Sequence, residues 1–373
     1  MFSVFRWSSP EIASSPPESM PSPLKVLFAP DYRAGISYQQ DLADALHPLG
    51  VEVSHLSFYK RGLPLTRGIQ VLGGTDVVHL HWPEAYFPKP GRRWQWRFLV
   101  DLALATRNRP LVLTAHNLLP HNRGDEPGVR STISRVAARA SAVLLHSQAA
   151  IDEWCATLPT PRDRCHLIPF GDHAEALGPP LNQAEARQAL GLAADRPICL
   201  VFGTISPYKG SDEIVREWKR QQPAADLHVV GPVISKEFLA ALRAEAGPSS
   251  GSLHIHATDW LGPPELRQWL SAADCSVFNY RKVFTSGAAC LARSYGLPCI
   301  LTEALTTVDL DEPDPRVIRI KSLAGELAPA VTAAVDAGPD YEAAQPWRDR
   351  TAWPEVARQH AEIYRRVDPR SER

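Results

Sequence analysis

Short apolar runs alternate with amphipathic stretches along almost the whole chain. "LKVLFAP" (24–30) is apolar throughout, as a strand covered on both faces should be. In "DYRAGISYQQDLADALHPLG" the positions Tyr38, Leu42, Ala45 and Leu46 recur at helical spacing, and Gly50 supplies a stop. "VEVSHLSF" follows as a strand and completes a βαβ unit. "DVVHLHW", "PLVLTAHN", "SAVLLHS" and "CHLIPFG" continue as strands, with helices expected at 92–108, 128–140 and 149–157. Residues 172–195 are polar and rich in Gly and Pro, which predicts a linker with one short helix. A second series then begins: strands at "ICLVFG", "DLHVVGP", "SLHIHA", "CSVFNY", "PCILTE" and "RVIRI", with helices at 211–221, 235–246, 263–273 and 286–296. "WPEVARQHAEIYRRV" forms one further helix after that series is complete. The pattern predicts an α/β chain of two Rossmann-like, doubly wound domains, at 24–178 and 185–345, followed by a terminal helix at 352–368. Ligands of such sheets bind beyond the carboxyl ends of the strands, so the two sets of ends should face one central cleft.

Composition changes little in this picture. With 373 residues the chain is long enough for two domains, and a net charge of −1 gives no global field for nucleic acid. No apolar run reaches the roughly 18 residues that span a bilayer. Residues 1–23, ending "SSPPESMPSP", lack a signal-peptide core and read as a disordered extension, with Met20 an alternative start. The six cysteines form no CxxC pair and several sit in apolar strands, which fits buried free thiols in a cytoplasmic protein. No metal and no cofactor are expected.

Two loops carry candidate chemistry. In "VFGTISPYKGSDEI" a buried strand ends at Gly203, the loop holds Thr204, Tyr208, Lys209 and Gly210, and Ser211 or Asp212 can cap the next helix. A glycine turn before a helix N-terminus lets backbone amides approach a phosphate, and lysine adds a compact charge. In "VFNYRKVFTSGAACLARSYGLPCIL" a strand ends near Tyr280, Thr285 or Ser286 can cap a helix of small residues, and Gly287 opens its amides. Two anion sites in one domain suit a diphosphate.

"VVHLHWPE", "TAHNLLPH", "FGTISPYKG" and "YRKVFTSGAACLARSYGLPCIL", in that order, resemble bacterial GT-B glycosyltransferases, and most of all the β-mannosyltransferases of xanthan-type exopolysaccharide assembly. The resemblance covers roughly residues 24–366. It implies a GT-B fold in which helix 352–368 crosses back to the first domain, GDP-mannose as donor and a saccharide or polyprenyl-diphosphate-linked oligosaccharide as acceptor. Two departures bear on stereochemistry. Thr204 stands where many retaining relatives have Arg, and no glutamate lies between Tyr280 and Tyr295, so a donor-gripping carboxylate has to come from elsewhere, such as Glu303. An inverting, metal-independent transfer is the expectation.

Such a transfer needs a general base opposite the phosphate loops. Glu84, then Asp31, then His116 are the candidates, all just past carboxyl ends of first-domain strands; His116 is also placed to hydrogen-bond the donor. His81, Trp82, Asn117 and His121 are the acceptor-side candidates. His79 and His81 share one side of their strand, so one is expected to be packed and the other functional. "GRRWQWRFLVDLALATRNR" (91–109) puts Arg and Trp before an apolar helix, which suits peripheral contact with the inner face of the cytoplasmic membrane or an ordinary amphipathic helix. A retaining transferase using a UDP- or ADP-sugar, a GT-B nucleotide-sugar epimerase and a non-catalytic sugar-binding protein remain as alternatives.

Overall fold

The computed structural model describes residues 22–33, 37–57, 62–87, 91–120, 128–247, 251–281, 283–310 and 313–370. The extension predicted at 1–23 lies outside these but for its last two residues, and so does His121.

Two six-stranded sheets form, and every strand pairing is parallel. The first contains β1 (Leu24–Ala29), β2 (Val51–His55), β3 (Val77–Leu80), β4 (Leu111–Thr114), β5 (Ala142–Leu145) and β6 (Cys165–Leu167), in the order β2-β1-β3-β4-β5-β6. The second contains β7 (Ile198–Phe202), β8 (Asp226–Pro232), β9 (Leu253–Thr258), β10 (Cys275–Phe278), β11 (Cys299–Thr302) and β12 (Val317–Ile320), in the order β12-β11-β10-β7-β8-β9. Strand order reverses at β1/β3 and at β7/β10, the positions where open α/β sheets leave a crevice. His81 follows β3, Gly203 follows β7 and Asn279 follows β10, so the polar motifs sit at these switch points.

Period-two alternation divides each strand between two cores. Val26 and Phe28 pack with Leu42, Leu46, Val356 and Tyr364 on one face of the first sheet. Leu27 and Ala29 pack with Leu65, Phe98 and Leu102 on the other. The helix Trp353–Val367 therefore belongs to the first core, whereas Trp347, in the preceding helix Gln345–Thr351, is buried in the second. Trp353 lies so close to Gly171 that a Cβ there would come within 2.3 Å of its ring.

The segment 172–195 is more ordered than its composition suggests. It holds two helices, Ala174–Leu177 and Gln183–Leu190, where one was expected. Asn182 caps the second by accepting from Ala184 N and Glu185 N, and Arg187 pairs with Asp274 at 2.5 Å, fastening the segment to the second sheet. A helix at Pro64–Val71 was not anticipated; buried Asp101 accepts from Leu65 N and Thr66 N at its start.

Candidate active site

The first-domain rim is a stack of aromatic rings. His79 and His81 lie side by side, with centroids 4.2 Å apart, as alternation requires, but both are buried. His79 bridges Tyr364 OH (2.7 Å, through Nδ1) and Thr114 Oγ1 (2.8 Å, through Nε2), tying the sheet to the terminal helix. His81 Nδ1 faces His116 Nε2 at 3.3 Å, and Trp82 stacks on His116 at 4.3 Å. Burial, with neighbouring imidazoles adding to it, holds His79, His81 and His116 well below the ordinary histidine pKa, so all are neutral at pH 7. His81, Trp82, Glu84, His116 and Asn117 line one crevice together with Trp154. Asp31 stands apart from that crevice. Its carboxylate accepts two bonds from Arg33 at 3.0 Å and one from Ser57 at 2.9 Å, and the Arg33 guanidinium holds its pKa well below the usual range, which makes it a poor proton acceptor at neutral pH.

In the second domain the two loops meet. Arg281 N donates to Tyr208 O at 2.8 Å, and the Arg281 side chain pairs with Asp212 and Glu213. Gly210 has φ +66 and is so close to Asn279 that a Cβ would lie 2.2 Å from its carbonyl oxygen. Gly210 itself, rather than Ser211 or Asp212, occupies the N-cap of the helix Ser211–Gln221. Lys209 is buried beside Gly203 and donates to Phe202 O at 3.2 Å, and burial lowers its pKa to about 8. Its ammonium lies 5.5 Å from the centre of the Tyr280 ring. Ser286 Oγ donates to Tyr280 OH at 3.1 Å and accepts from Ala289 N, capping the helix Gly287–Ser294 as expected. Tyr280 thus touches a residue of each loop, Lys209 and Ser286.

The second loop also reaches the first domain. Phe284 is buried in the first-domain core near Trp154, which lines the crevice of Glu84 and His116. Gly287 abuts Phe170, at a distance where an added Cβ would meet the ring at 3.3 Å. Between the domains lies a cavity of about 90 Å³, lined by His146 and Phe170 on one side, Thr285, Ser286, Thr307 and Asp309 on the other, and by Arg350 from the linking helix. His146 Nδ1 donates to Ile168 O at 2.9 Å, so its Nε2 carries the lone pair, and burial lowers its pKa to about 4. That Nε2 and Thr285 Oγ1 are both buried without a hydrogen-bond partner. A buried polar atom of this kind costs free energy until something pairs with it, and here two of them border one cavity.

His146, Thr307, Asp309 and Arg350 were not singled out from the sequence. A signal existed for His146, since "SAVLLHS" ends in histidine as "VVHLH" and "LVLTAH" do; Thr307 and Asp309, from one loop, and Arg350, from the helix Gln345–Thr351, are brought to it only by the fold. Glu303 is exposed in the turn after β11, and its neighbours Thr302 and Ala304 line a different crevice with Asn279 and Lys321. Among the described residues no helix is long and apolar enough to cross a membrane.

Residues 196–336 match the family model "Glycosyl transferases group 1". Over 236 residues the chain is 25% identical to a GDP-mannose:glycolipid 4-beta-D-mannosyltransferase of Xanthomonas campestris pv. campestris, covering 62% of each chain. It is 30% identical over 288 residues to a D-inositol 3-phosphate glycosyltransferase of Nocardia farcinica, covering 71% of this chain and 57% of that one. The matches therefore span somewhat under two thirds of these curated relatives. Among solved structures, sucrose-phosphate synthase of Thermosynechococcus elongatus superposes with a TM-score of 0.68 at 16% identity, over 92% of this chain and 99% of that one. HepE of Anabaena in complex with UDP and glucose gives 0.65 at 16% identity, over 91% and 99%. Sheet topology and these superpositions agree on a GT-B fold, and the second domain matches the glycosyl transferases group 1 model over almost its whole length.

Proposed function

We propose that the chain transfers a hexosyl unit from a nucleotide sugar to a saccharide or lipid-linked acceptor, with GDP-mannose as the favoured donor. The observation that carries this reading is the interdomain cavity, where one unpartnered polar atom from each domain, His146 Nε2 and Thr285 Oγ1, borders the capped start of the helix Gly287–Ser294. A space of about 90 Å³ is smaller than the roughly 300–1,000 Å³ of whole-ligand pockets, and suits a phosphate or part of a sugar ring. The rest of the donor then extends along Tyr280 toward Lys209. There the ammonium and the helix amides stabilise the negative charge that builds on the departing diphosphate. His146 Nε2 accepts a hydrogen bond from a sugar hydroxyl, since a neutral imidazole with its Nδ1 proton committed to Ile168 can only accept there.

On the acceptor side the attacking hydroxyl enters from the crevice of His81, Trp82, His116 and Asn117, and Glu84 takes its proton. Direct displacement at the anomeric carbon with a base on the opposite lobe inverts configuration. The preference for GDP-mannose is supported by the name of the Xanthomonas relatives. A UDP-sugar is the second reading, supported by the UDP and glucose in the HepE complex. For a lipid-linked acceptor, the helix Arg92–Ala105 offers a docking edge: Trp96 is 64% exposed, and Arg92, Arg93 and Arg135 share a groove with it. The reading is tested by incubating GDP-mannose and UDP-glucose with lipid-linked and free saccharide acceptors and following nucleoside diphosphate release. Acceptor-dependent release is expected. Sugar isomerisation with donor alone, or tight binding of free sugar with no affinity for nucleotide, would overturn it.

A further inference from the structure

Away from the cleft, β8 and β9 carry a cluster of histidines that glycosyl transfer does not use. β9 is the edge strand of the second sheet, and His228 on β8 lies directly opposite His254 on β9. Alternation puts Asp226 and His228 on one face of β8, and His254 and His256 on the same face of β9. The His228 and His254 rings stack at 4.6 Å. One ligand atom from each of Asp226, His228 and His254 falls within 4.8 Å of the others, the one such grouping of three among the described residues. His228 is 3% exposed, and its Nδ1 is engaged with His256 Nε2 at 3.0 Å.

We propose that Asp226, His228 and His254 bind one divalent transition-metal ion of the zinc type. Two imidazoles and a carboxylate are a ligand set that such ions accept, and they leave a fourth position for water. With its Nδ1 proton donated to His256, His228 directs the Nε2 lone pair to the ion; a ligating histidine ordinarily has its other nitrogen held in this way. Arg196 Nε, 2.7 Å from Asp226 Oδ1, holds the carboxylate from the outer side. Bonds of about 2.0–2.1 Å place tetrahedral ligand atoms roughly 3.3 Å apart, so ligand atoms now within 4.8 Å of one another close in by at most about 1.5 Å when the ion enters. Asp226 is the first residue of β8, so the site lies toward the amino ends of the strands, away from the cleft at their carboxyl ends. The ion's role is to clip the edge strand β9 to β8. This departs from the expectation, drawn from the cysteine pattern, that the chain has no metal site.

The test uses the full, untagged chain after chelator treatment and dialysis. Titration with Zn²⁺ by calorimetry should give one ion per chain and a raised Tm, and Co²⁺ should give visible absorption of a four-coordinate centre. His254→Asn should weaken Zn²⁺ binding by at least about 100-fold, and His256→Gln by about 10- to 100-fold, the range for an outer-shell partner. A Cys155→Ser/Cys165→Ser variant should keep the ion, since its thiols are not ligands. Absence of Zn²⁺ heat and of Co²⁺ absorption in the folded wild-type chain would overturn the proposal, whatever the variants do. So would Zn²⁺ affinity within threefold of wild type in His254→Asn, or loss of the ion from the cysteine variant.

Discussion

Replacing Lys209 by Met should make the nucleotide-free protein more stable while crippling nucleotide binding. The ammonium is buried, with one neutral acceptor, Phe202 O at 3.2 Å, and its pKa falls from the ordinary 10.5 to about 8. A displacement of that size corresponds to about 3 kcal/mol against the charged form in the folded state. The unfolded chain holds the proton up to pH 10.5, so the folded protein bears the full cost below pH 8 and sheds it between pH 8 and 10.5. Methionine removes that cost but forfeits the bond to Phe202, worth about 1 kcal/mol, which leaves a gain of about 1–3 kcal/mol at pH 7. The gain should fade by pH 10.5. A diphosphate, by contrast, supplies the missing counter-charge. Losing one charge-assisted hydrogen bond of about 1.5–3 kcal/mol should weaken GDP binding roughly 10- to 150-fold. In the wild type, GDP affinity should fall as pH rises above 8, because binding then has to draw in a proton. Urea denaturation at pH 7 and pH 10, with calorimetry for GDP, measures both effects. A variant that is less stable at pH 7 and still binds GDP as the wild type does would refute this account of Lys209.

Glu84→Gln should lower kcat by about 10²- to 10⁴-fold, the usual contribution of a general base, and leave GDP affinity unchanged in calorimetry. Asp31→Asn should lower kcat less than about tenfold, because Arg33 and Ser57 hold that carboxylate as a structural anion. Tyr364→Phe removes the partner of His79 Nδ1 in a fully buried site, and should cost about 1–3 kcal/mol in urea denaturation. Gly210→Ala places a Cβ against Asn279 O at φ +66, and should cost at least about 1 kcal/mol and weaken GDP binding by spreading the two loops.

Much of the architecture was legible because parallel strands buried on both faces read as unbroken apolar runs, "ICLVF" and "AVLL" among them. The terminal helix was legible as an element left over after the second series was complete, and its packing on the first domain through Trp353 and Tyr364 followed from the GT-B resemblance. Short elements were harder. The helix Pro64–Val71 has only two turns, and it is held by Asp101, thirty-odd residues away, rather than by a local cap. The segment at 172–195 looks like a linker because it is polar and interrupted by Gly178, Pro179, Pro180 and Gly191, and it is ordered by a long-range pair, Arg187 with Asp274. At the site, residues ending strands could be foreseen, since topology alone places them at the cleft. Asp309 and Arg350 could not, because the fold brings them to the cavity from the middle of the loop between β11 and β12 and from a helix beyond the last strand. The pairing of Asp31 with Arg33, two residues on, was open to inspection and is what separates that carboxylate from Glu84.

The central claim is that the interdomain cavity and Lys209 together hold the donor's diphosphate. A crystal structure with GDP bound tests it most directly. The account predicts the diphosphate between Lys209 Nζ and the amides at the start of the helix Gly287–Ser294, on the side facing His146. A diphosphate bound elsewhere, with Lys209 still directed at Phe202 O and Thr285 Oγ1 still unpaired, would contradict it.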